Sequence, residues 1–565
     1  MDNPERVTYF AATDTRGKRI PFGIKQKDRA RHMYIIGKTG MGKSTMLENM
    51  AIQDIRNGEG LAFIDPHGGT VDKLLDYIPE NRIKDVVYFA PFDLEHPIAF
   101  NIMEDVGYDK RHLVVSGLMA AFKKIWVDAW SARMEYILTN TLLALLEYPD
   151  ATLLGVNRMY TDKNYRKKVV ENVKDPVVKD FWIKEFATYT DRYTQEATPA
   201  IQNKIGQFTS NPLIRNIIGQ PTSSFDIRTL MDQKKILIIN LSKGLVGDTN
   251  TQLLGSMLTT RIFLAAMSRA DASARDLARL PNFYFYVDEF QNFANETFAE
   301  ILSEARKYKL NLIIAHQYIE QMEEEVRDAV FGNVGTTVTF RVGPFDAETL
   351  ETVFAPEFEQ EDLVNLGFAQ IYTTLMIDGI GSRPFSAVTI PPIEPPPIST
   401  RKEVLASSRA TYAALRTDIE EAILKELSLT EEEVTRKLDK MDAKLDDRGY
   451  KLPPNKKPKQ KQYQQPSPQK APPQNPPGGA VHAQDLKAAI AAITQKTQAT
   501  QQEKTETKHE ALKETLQKVA APQPAPLPPK PHPAPQPPVA DIPPNKRPAF
   551  EVPEESLQAV FEEDL

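Results

Sequence analysis

Residues 37–45 read Gly-Lys-Thr-Gly-Met-Gly-Lys-Ser-Thr, a run whose residue types suit a nucleotide phosphate. Gly37 and Gly42 stand where backbone must approach phosphate closely, so that N–H groups can surround the β-phosphate. Lys43 would reach the β and γ oxygens, and Ser44 would hold Mg²⁺. Gly37, Lys38, Thr39, Gly40, Met41, Gly42, Lys43, Ser44 and Thr45 are therefore the candidate ATP-binding residues. A glycine turn that binds nothing is the plain alternative, but an apolar strand before the loop and a helix after it are what a phosphate-binding loop requires. The loop alone does not separate a kinase from a GTPase or a motor ATPase.

A second, acidic motif makes that separation. Residues 283–290 read FYFYVDEF, an apolar strand whose carboxyl end presents Asp288 followed at once by Glu289. Open parallel sheets carry their ligand sites at that end of the strands. Asp288 would orient Mg²⁺ through its water shell, and Glu289 would polarise an attacking water as a general base. A kinase has a substrate hydroxyl to activate and does not need the second carboxylate. An acidic surface turn is the bland alternative, and it loses weight beside an intact loop. A further strand, 311–315, ends at His316 and Gln317. In ATPases of the additional-strand class a polar residue at this tip contacts the γ-phosphate and reports its loss; Gln317 suits that role, and His316 reads equally well as a packed neighbour. Arg306 lies eleven positions before Gln317, where it would stabilise transition-state charge on the next subunit's nucleotide. Beside Lys307 and Lys309 it also reads as a solvated helix-end cation.

Such residues need a parallel sheet to hold them, and the hydrophobic pattern supplies one. Strands are expected around a turn at 14–17, then at 33–36, 61–64, 86–89, 235–241, 283–287, 311–315, 336–342 and 370–377, with helices at 43–55, 249–267 and 294–308. Between residues 105 and 225 the pattern turns wholly helical, so an all-α insertion is expected inside the α/β core. The core is thus residues 1–104 and 226–400, followed by a charged helical extension over 401–450, free to lie on a neighbour, and a tail over 451–565. Of 43 prolines, 23 fall after residue 450, and that stretch has too few apolar residues to offset its ordering entropy, so disorder is expected there.

The chain of 565 residues has no cysteine, which excludes disulfides, thiolate metal sites and a cysteine nucleophile. Its formal charge is −7; the tail carries 15 Lys+Arg against 12 Asp+Glu, leaving −10 on the rest. Any DNA contact must then be a patch or a pore rather than a basic coat. The charged N-terminus lacks the apolar region of a signal peptide, and no stretch approaches the ~20 apolar residues of a membrane span. A cytoplasmic protein is the expectation, with a peripheral seat at the inner face of the membrane as the alternative. Trp126, Trp130 and Trp182 in the insertion are candidates for base stacking, with core packing the better reading. His67 reads as a turn residue or a nucleotide contact, and Arg341 and Arg383 as strand-end surface arginines or second trans cations. The acidic end of the tail, 551–565, reads as solubilising disorder or as a docking segment.

Together, GKTGMGKST, DPHGG, PIAFNIME, ILIINLSKG, YVDEFQNFANETFAEILSEARKYKLNLIIAHQ and FGNVGTTVTFRVG resemble the type IV secretion coupling proteins, the TraG/TraD-like members of the HerA/FtsK superfamily. The resemblance spans about residues 15–395, in a form without the usual leading transmembrane helices. It implies a RecA-like P-loop fold of the additional-strand (ASCE) type, ATP and Mg²⁺ as ligands, and a homo-oligomeric ring, expected to be a hexamer. It also implies sequence-independent contact with the DNA backbone; without the leading helices the chain reads either as a soluble relative or as one recruited by a separate membrane-embedded secretion partner. Two rivals stand: an ATPase that moves protein in secretion or pilus assembly, and a scaffold that binds ATP as a structural ligand. Glu289 argues against the scaffold, since a structural nucleotide site needs no water-activating base.

Overall fold

The computed structural model of the chain describes residues 3–14, 18–127 and 130–427. The disorder expected over 451–565, and the last part of the helical extension, lie outside the described residues.

Eleven strands form one sheet. Its strands in chain order are β1 (Val7–Thr13), β2 (Pro21–Lys25), β3 (Met33–Ile36), β4 (Gly60–Asp65), β5 (Val86–Phe89), β6 (Ile236–Asn240), β7 (Phe283–Val287), β8 (Leu310–His316), β9 (Thr336–Thr339), β10 (Gln370–Thr374) and β11 (Phe385–Thr389). The order across the sheet is β2-β1-β11-β10-β9-β3-β8-β7-β4-β6-β5. From β9 to β5 every pairing is parallel, and apart from the threonine-rich β9 these strands are short, mostly apolar runs because helices cover both faces. β10, β11, β1 and β2 extend the sheet antiparallel beyond β9. β8 stands between β3 and β7, so a strand separates the strand that leads into the glycine loop from the strand that carries Asp288 and Glu289. This is the expected additional-strand arrangement.

The helices used below are α1 (Lys43–Arg56), α2 (Arg111–Ile125), α3 (Ala132–Leu146), α4 (Asp248–Met267), α5 (Glu296–Glu304), α6 (Glu324–Asn333), α7 (Arg401–Tyr412) and α8 (Arg416–Leu427). Alternation along each strand divides the core between the two faces. Met33, Ile35, Leu61 and Phe63 pack with α1, while Tyr34, Ile36, Ala62 and Ile64 share a core with α4, α5 and the insertion. Residues 108–218 are helical apart from their connections. They are tied to the sheet by α2 lying on α4, where a Cβ at Gly117 would stand 2.4 Å from Thr260 Cγ2, so only glycine permits that approach.

Several expectations change. The helix expected over 294–308 begins at Glu296 and tightens after Glu304 into a 3₁₀ turn, Ala305–Tyr308. Helices that went unforeseen include α6 and Pro344–Phe354. The charged extension does not wait for a neighbour, because α7 and α8 dock on their own chain. Val404 is buried, the Tyr88 N–H donates to Ser408 Oγ at 2.9 Å, and Ile419 and Ile423 pack with Leu154 of the insertion. Trp182 is buried in the insertion core, and Trp126 packs against Phe122 and Phe208. Among the described residues no helix is long and apolar enough to cross a membrane.

One buried ion pair braces the strands that lead to the site. Arg29, just before β3, donates to both carboxylate oxygens of Asp54 on α1, at 2.6 and 2.8 Å, and to the Tyr286 hydroxyl of β7 at 2.8 Å. The Tyr286 hydroxyl donates to Asp54 at 2.5 Å, and the guanidinium lies 3.7 Å from the Tyr284 ring centre. His32, next in the chain, is buried; its Nδ1 accepts from the Leu312 N–H at 3.1 Å and its Nε2 donates to the Leu302 carbonyl at 3.2 Å. Burial holds its pKa down at about 4, and that of His316, also buried, at about 3.

Asp54→Ala would strand the Arg29 charge in the core and should cost about 3–5 kcal/mol of unfolding free energy, read from urea denaturation. For His32 the unfolded state takes up a proton near pH 6.5 and the folded state does not. The stability it contributes is therefore present above that pH and lost as pH falls towards 4. The stability of wild type relative to His32→Gln should fall by about 1.4 kcal/mol per pH unit through that window, measured by urea titrations at successive pH values.

Candidate active site

The glycine loop leaves the end of β3 and enters α1 at Lys43. Its course depends on glycine at two points. A Cβ on Gly37 would lie 2.5 Å from Phe340 Cβ, and Gly42, the residue that caps α1, has φ +119°. The neighbouring strand ends hold the loop, since the Gly37 N–H donates to the His316 carbonyl and the Lys38 N–H to the Arg341 carbonyl. The first turn of α1 thereby points its unpaired N–H groups into the space above the carboxyl edge of the sheet, where an anion is favoured. The Lys43 ammonium lies on the carbonyls of Gly37 and Lys38. Met41 does not face that space with its side chain, because its sulfur meets the Arg341 guanidinium at 3.3 Å.

Three carboxylates lie opposite the loop, all buried. Asp65, at the end of β4, accepts from the N–H groups of His67, Thr70 and Val71 at 2.7, 2.9 and 3.4 Å. Asp288 accepts from Ser44 Oγ at 3.1 Å and from the Glu289 N–H at 3.0 Å. Burial first, and then the charges of Asp65 and Glu289, push the Asp288 carboxyl up to about 6, against the opposing pull of Ser44 and Lys43. Lys43 is lowered by burial, with Glu289 and Asp288 acting against the shift.

Glu289 takes the left-handed backbone conformation, φ 49° and ψ 51°, which costs a residue other than glycine about 1–2 kcal/mol. The conformation is held by Asn292, whose N–H and side-chain amide both donate to the Glu289 carbonyl, and by the burial of Phe290 and Phe293. Both carboxylate oxygens are engaged. Gln291 Nε2 donates to Oε2 at 2.7 Å and Gln317 Nε2 donates to Oε1, while Gln317 Oε1 accepts from the Thr39 hydroxyl at 3.0 Å. A continuous relay thus runs from the glycine loop through Gln317 to Glu289.

The structure therefore brings together Gly37–Thr45, Asp288, Glu289 and Gln317, and keeps Arg306 apart. Arg306 is exposed at the amino end of β8, and the seven residues of that strand, about 20 Å at ~3.3 Å per residue, separate it from the loop of its own chain. It forms no ion pair among the described residues, whereas the adjacent Lys307 is bound to Glu304. His316 is a packed residue in contact with the Tyr34 hydroxyl. The His67 side chain is exposed, as are those of Arg341 and Arg383. Sequence reasoning missed the part played by Asp65, although its position at the end of a buried strand, before His67-Gly68-Gly69, was a usable signal. It also missed Gln291, which follows Glu289 by two positions, and Lys124, discussed below.

The sequence profile of the type IV secretion-system coupling protein DNA-binding domain matches residues 18–362, well over half of the chain. Among solved structures, the bacterial conjugative coupling protein TrwBdeltaN70, in its unbound monoclinic form, is 13% identical, with a TM-score of 0.50 over 68% of this chain and 89% of that one. The plasmid coupling protein TrwB in complex with ADP and Mg²⁺ is 14% identical, with a TM-score of 0.50 over 72% and 92%. VirB4 of Thermoanaerobacter pseudethanolicus is 13% identical, with a TM-score of 0.43 over 69% and 98%. At such identities the structural likeness is one of fold. No curated protein matches the sequence. The additional-strand sheet, the glycine loop facing Asp288 and Glu289, and the extent of the profile match agree, and the chain belongs to the family of the type IV secretion-system coupling protein DNA-binding domain.

Proposed function

We propose that this protein is an ATP-hydrolysing motor that moves DNA or nucleoprotein through a homo-oligomeric ring, most simply a hexamer. The observation that carries the reading is the relay from Thr39 through Gln317 to Glu289, which ties a water-activating carboxylate to the loop that would hold the γ-phosphate. The N–H groups of the loop and of the first turn of α1 bind the phosphates, and Lys43 turns from its loop carbonyls to the β and γ oxygens. Glu289 takes the proton from the water that attacks the γ-phosphorus, as the bond to ADP breaks. Gln317 touches both the loop and the base, so loss of the γ-phosphate is felt at Glu289.

Ser44 and Asp288 are the residues that would hold Mg²⁺. Their contact at 3.1 Å and the raised pKa of Asp288 mark a buried negative charge short of compensation, which a hard divalent cation supplies. When bound, Mg²⁺ neutralises charge on the phosphates.

Arg306 acts in trans in this reading, because it is far from its own loop, exposed and without an ion pair among the described residues. The family's domain type supports DNA as the cargo, held through its backbone, and a membrane-embedded secretion partner supplies the route. On this view residues 105–225 form the face that meets substrate, while 1–104 and 226–400 carry the chemistry and the tail docks partners.

Lys43→Ala should abolish hydrolysis and weaken nucleotide binding. Glu289→Gln should retain ATP and lose turnover, both read from a phosphate-release assay beside binding of a fluorescent ATP analogue. Wild-type hydrolysis should rise with DNA, and the DNA affinity should fall steeply with salt at little cost to sequence tolerance. Arg306→Ala should bind ATP normally yet lose ~10³-fold in turnover. Mixing it with Glu289→Gln should restore part of the activity, because an interface between the two rebuilds one intact site. Wild-type turnover from Arg306→Ala with DNA present would return Arg306 to the role of a surface cation.

A further inference from the structure

Lys124 belongs to the last turn of α2, in the insertion, yet its ammonium is spent inside the candidate active site. Nζ donates to the carbonyl of Gln291 at 2.6 Å and to the carbonyl of Ala294. Both carbonyls lie in the short loop, residues 289–295, that joins β7 to α5. That loop starts at the strained Glu289, and its Gln291 side chain holds Glu289 Oε2. On its other side Lys243 donates to Asn292 Oδ1 at 2.8 Å, and Phe293 is pressed so closely on α4 that a Cβ at Gly255 would lie 2.2 Å from its ring. The loop is thus gripped by the β6 side of the core, by α4, and by one cation that arrives from the insertion.

We propose that Lys124 is a positioning residue for hydrolysis: it fixes the 289–295 loop and, through Gln291, the carboxylate of Glu289, so that the seating of the insertion on the core sets whether the base is in place. The inference rests on the reading of Glu289 as the base and adds the means by which the insertion controls it. Its physical ground is cost and reach. A half-buried lysine turned onto two carbonyls gives up part of its hydration, a poor way to close a loop that an asparagine could cap. Only a long cation, however, spans from α2 to main-chain oxygens on both sides of Asn292. The left-handed backbone at Glu289 stores strain, and a loop released from its clamp has a lower-energy alternative to relax into. Burial lowers the Lys124 pKa to about 8, opposed by Glu323 just before α6. The other charged or titratable groups facing it are Lys123 on its own helix and His316 at the end of β8, which is neutral at this pH.

The test compares full-length wild type, Lys124→Met and Lys124→Arg, measuring steady-state ATP hydrolysis from pH 7 to 9.5 beside the affinity for a fluorescent ATP analogue. In Lys124→Met, kcat should fall about tenfold or more while KM and analogue affinity stay within about twofold, because the base is displaced and the phosphate loop is not. Lys124→Arg should recover most of kcat. Wild-type kcat should decline as pH rises through about 8, where Lys124 loses its charge, and in Lys124→Arg that decline should move to higher pH, since the guanidinium stays charged. A kcat for Lys124→Met within twofold of wild type overturns the inference. So does an unmoved alkaline decline in Lys124→Arg, or a loss of analogue affinity that parallels the loss of kcat. A wild type that hydrolyses no ATP removes the proposed function and this inference with it; an active wild type matched by Lys124→Met removes the inference alone.

Discussion

Three carboxylates and one lysine share the buried carboxyl edge of a parallel sheet, and much of the surrounding structure serves to make that concentration of charge tolerable. Each carboxylate is satisfied in its own way: Asp65 by main-chain N–H groups, Asp288 by a serine hydroxyl and one amide, Glu289 by two glutamine side chains. A buried charge without such partners costs several kcal/mol, so these bonds are conditions of folding as well as of chemistry. Burial and the neighbouring carboxylates push the Asp288 carboxyl up despite its two donors. The site folds with a shortage of positive charge at the place where the proposed ligand would bring a cation.

The same edge explains why the flanking strands are braced from below. Arg29 joins the start of β3 to α1 and to Tyr286 of β7, and His32 joins the same region to β8 and to Leu302 at the end of α5. β3, β7 and β8 are the strands that deliver the glycine loop, the acidic pair and Gln317. Short polar contacts inside a packed core, at the start of β3, at Leu312 of β8 and at Tyr286 of β7, help fix the register in which their carboxyl ends meet. Side chains far from any ligand thereby determine the relay from Thr39 to Glu289.

Much of this was legible in the residues. The strands at Met33–Ile36, Val86–Phe89 and Phe283–Val287 coincide with unbroken apolar runs, because strands buried on both faces have no polar positions to blur their ends. The glycine loop, Asp288, Glu289 and Gln317 could be found from local spacing, and the structure brings them to one place. What escaped was non-local or conformational. No local pattern announces that Lys124, more than 160 residues before Gln291 in the chain, ends on its carbonyl. Nor does the sequence show the left-handed turn at Glu289, since Glu-Phe is not a turn signal and tertiary packing imposes the shape. The extension over 401–427 looked free because its charged surface outnumbers the few apolar residues, Val404, Ile419 and Ile423, that anchor it. Helix α6 was obscured by its acidic start and sparse apolar positions, of which Val326 and Val330 are buried.

The seating of α7 along β5 bears on how copies of the chain can associate. A wide open sheet has two outer strands whose unpaired main-chain groups invite another chain to add on, a route that leads to open-ended fibres rather than closed assemblies. At β5 that route is shut, since the Tyr88 N–H is taken by Ser408 and a helix lies where an incoming strand would have to sit. Growth from this side must therefore use side-chain surfaces, whose geometry can be tuned to a fixed rotation between neighbours and so to closure. The helix Arg401–Tyr412, easily taken for an appendage, thus closes one outer edge of the sheet to strand addition.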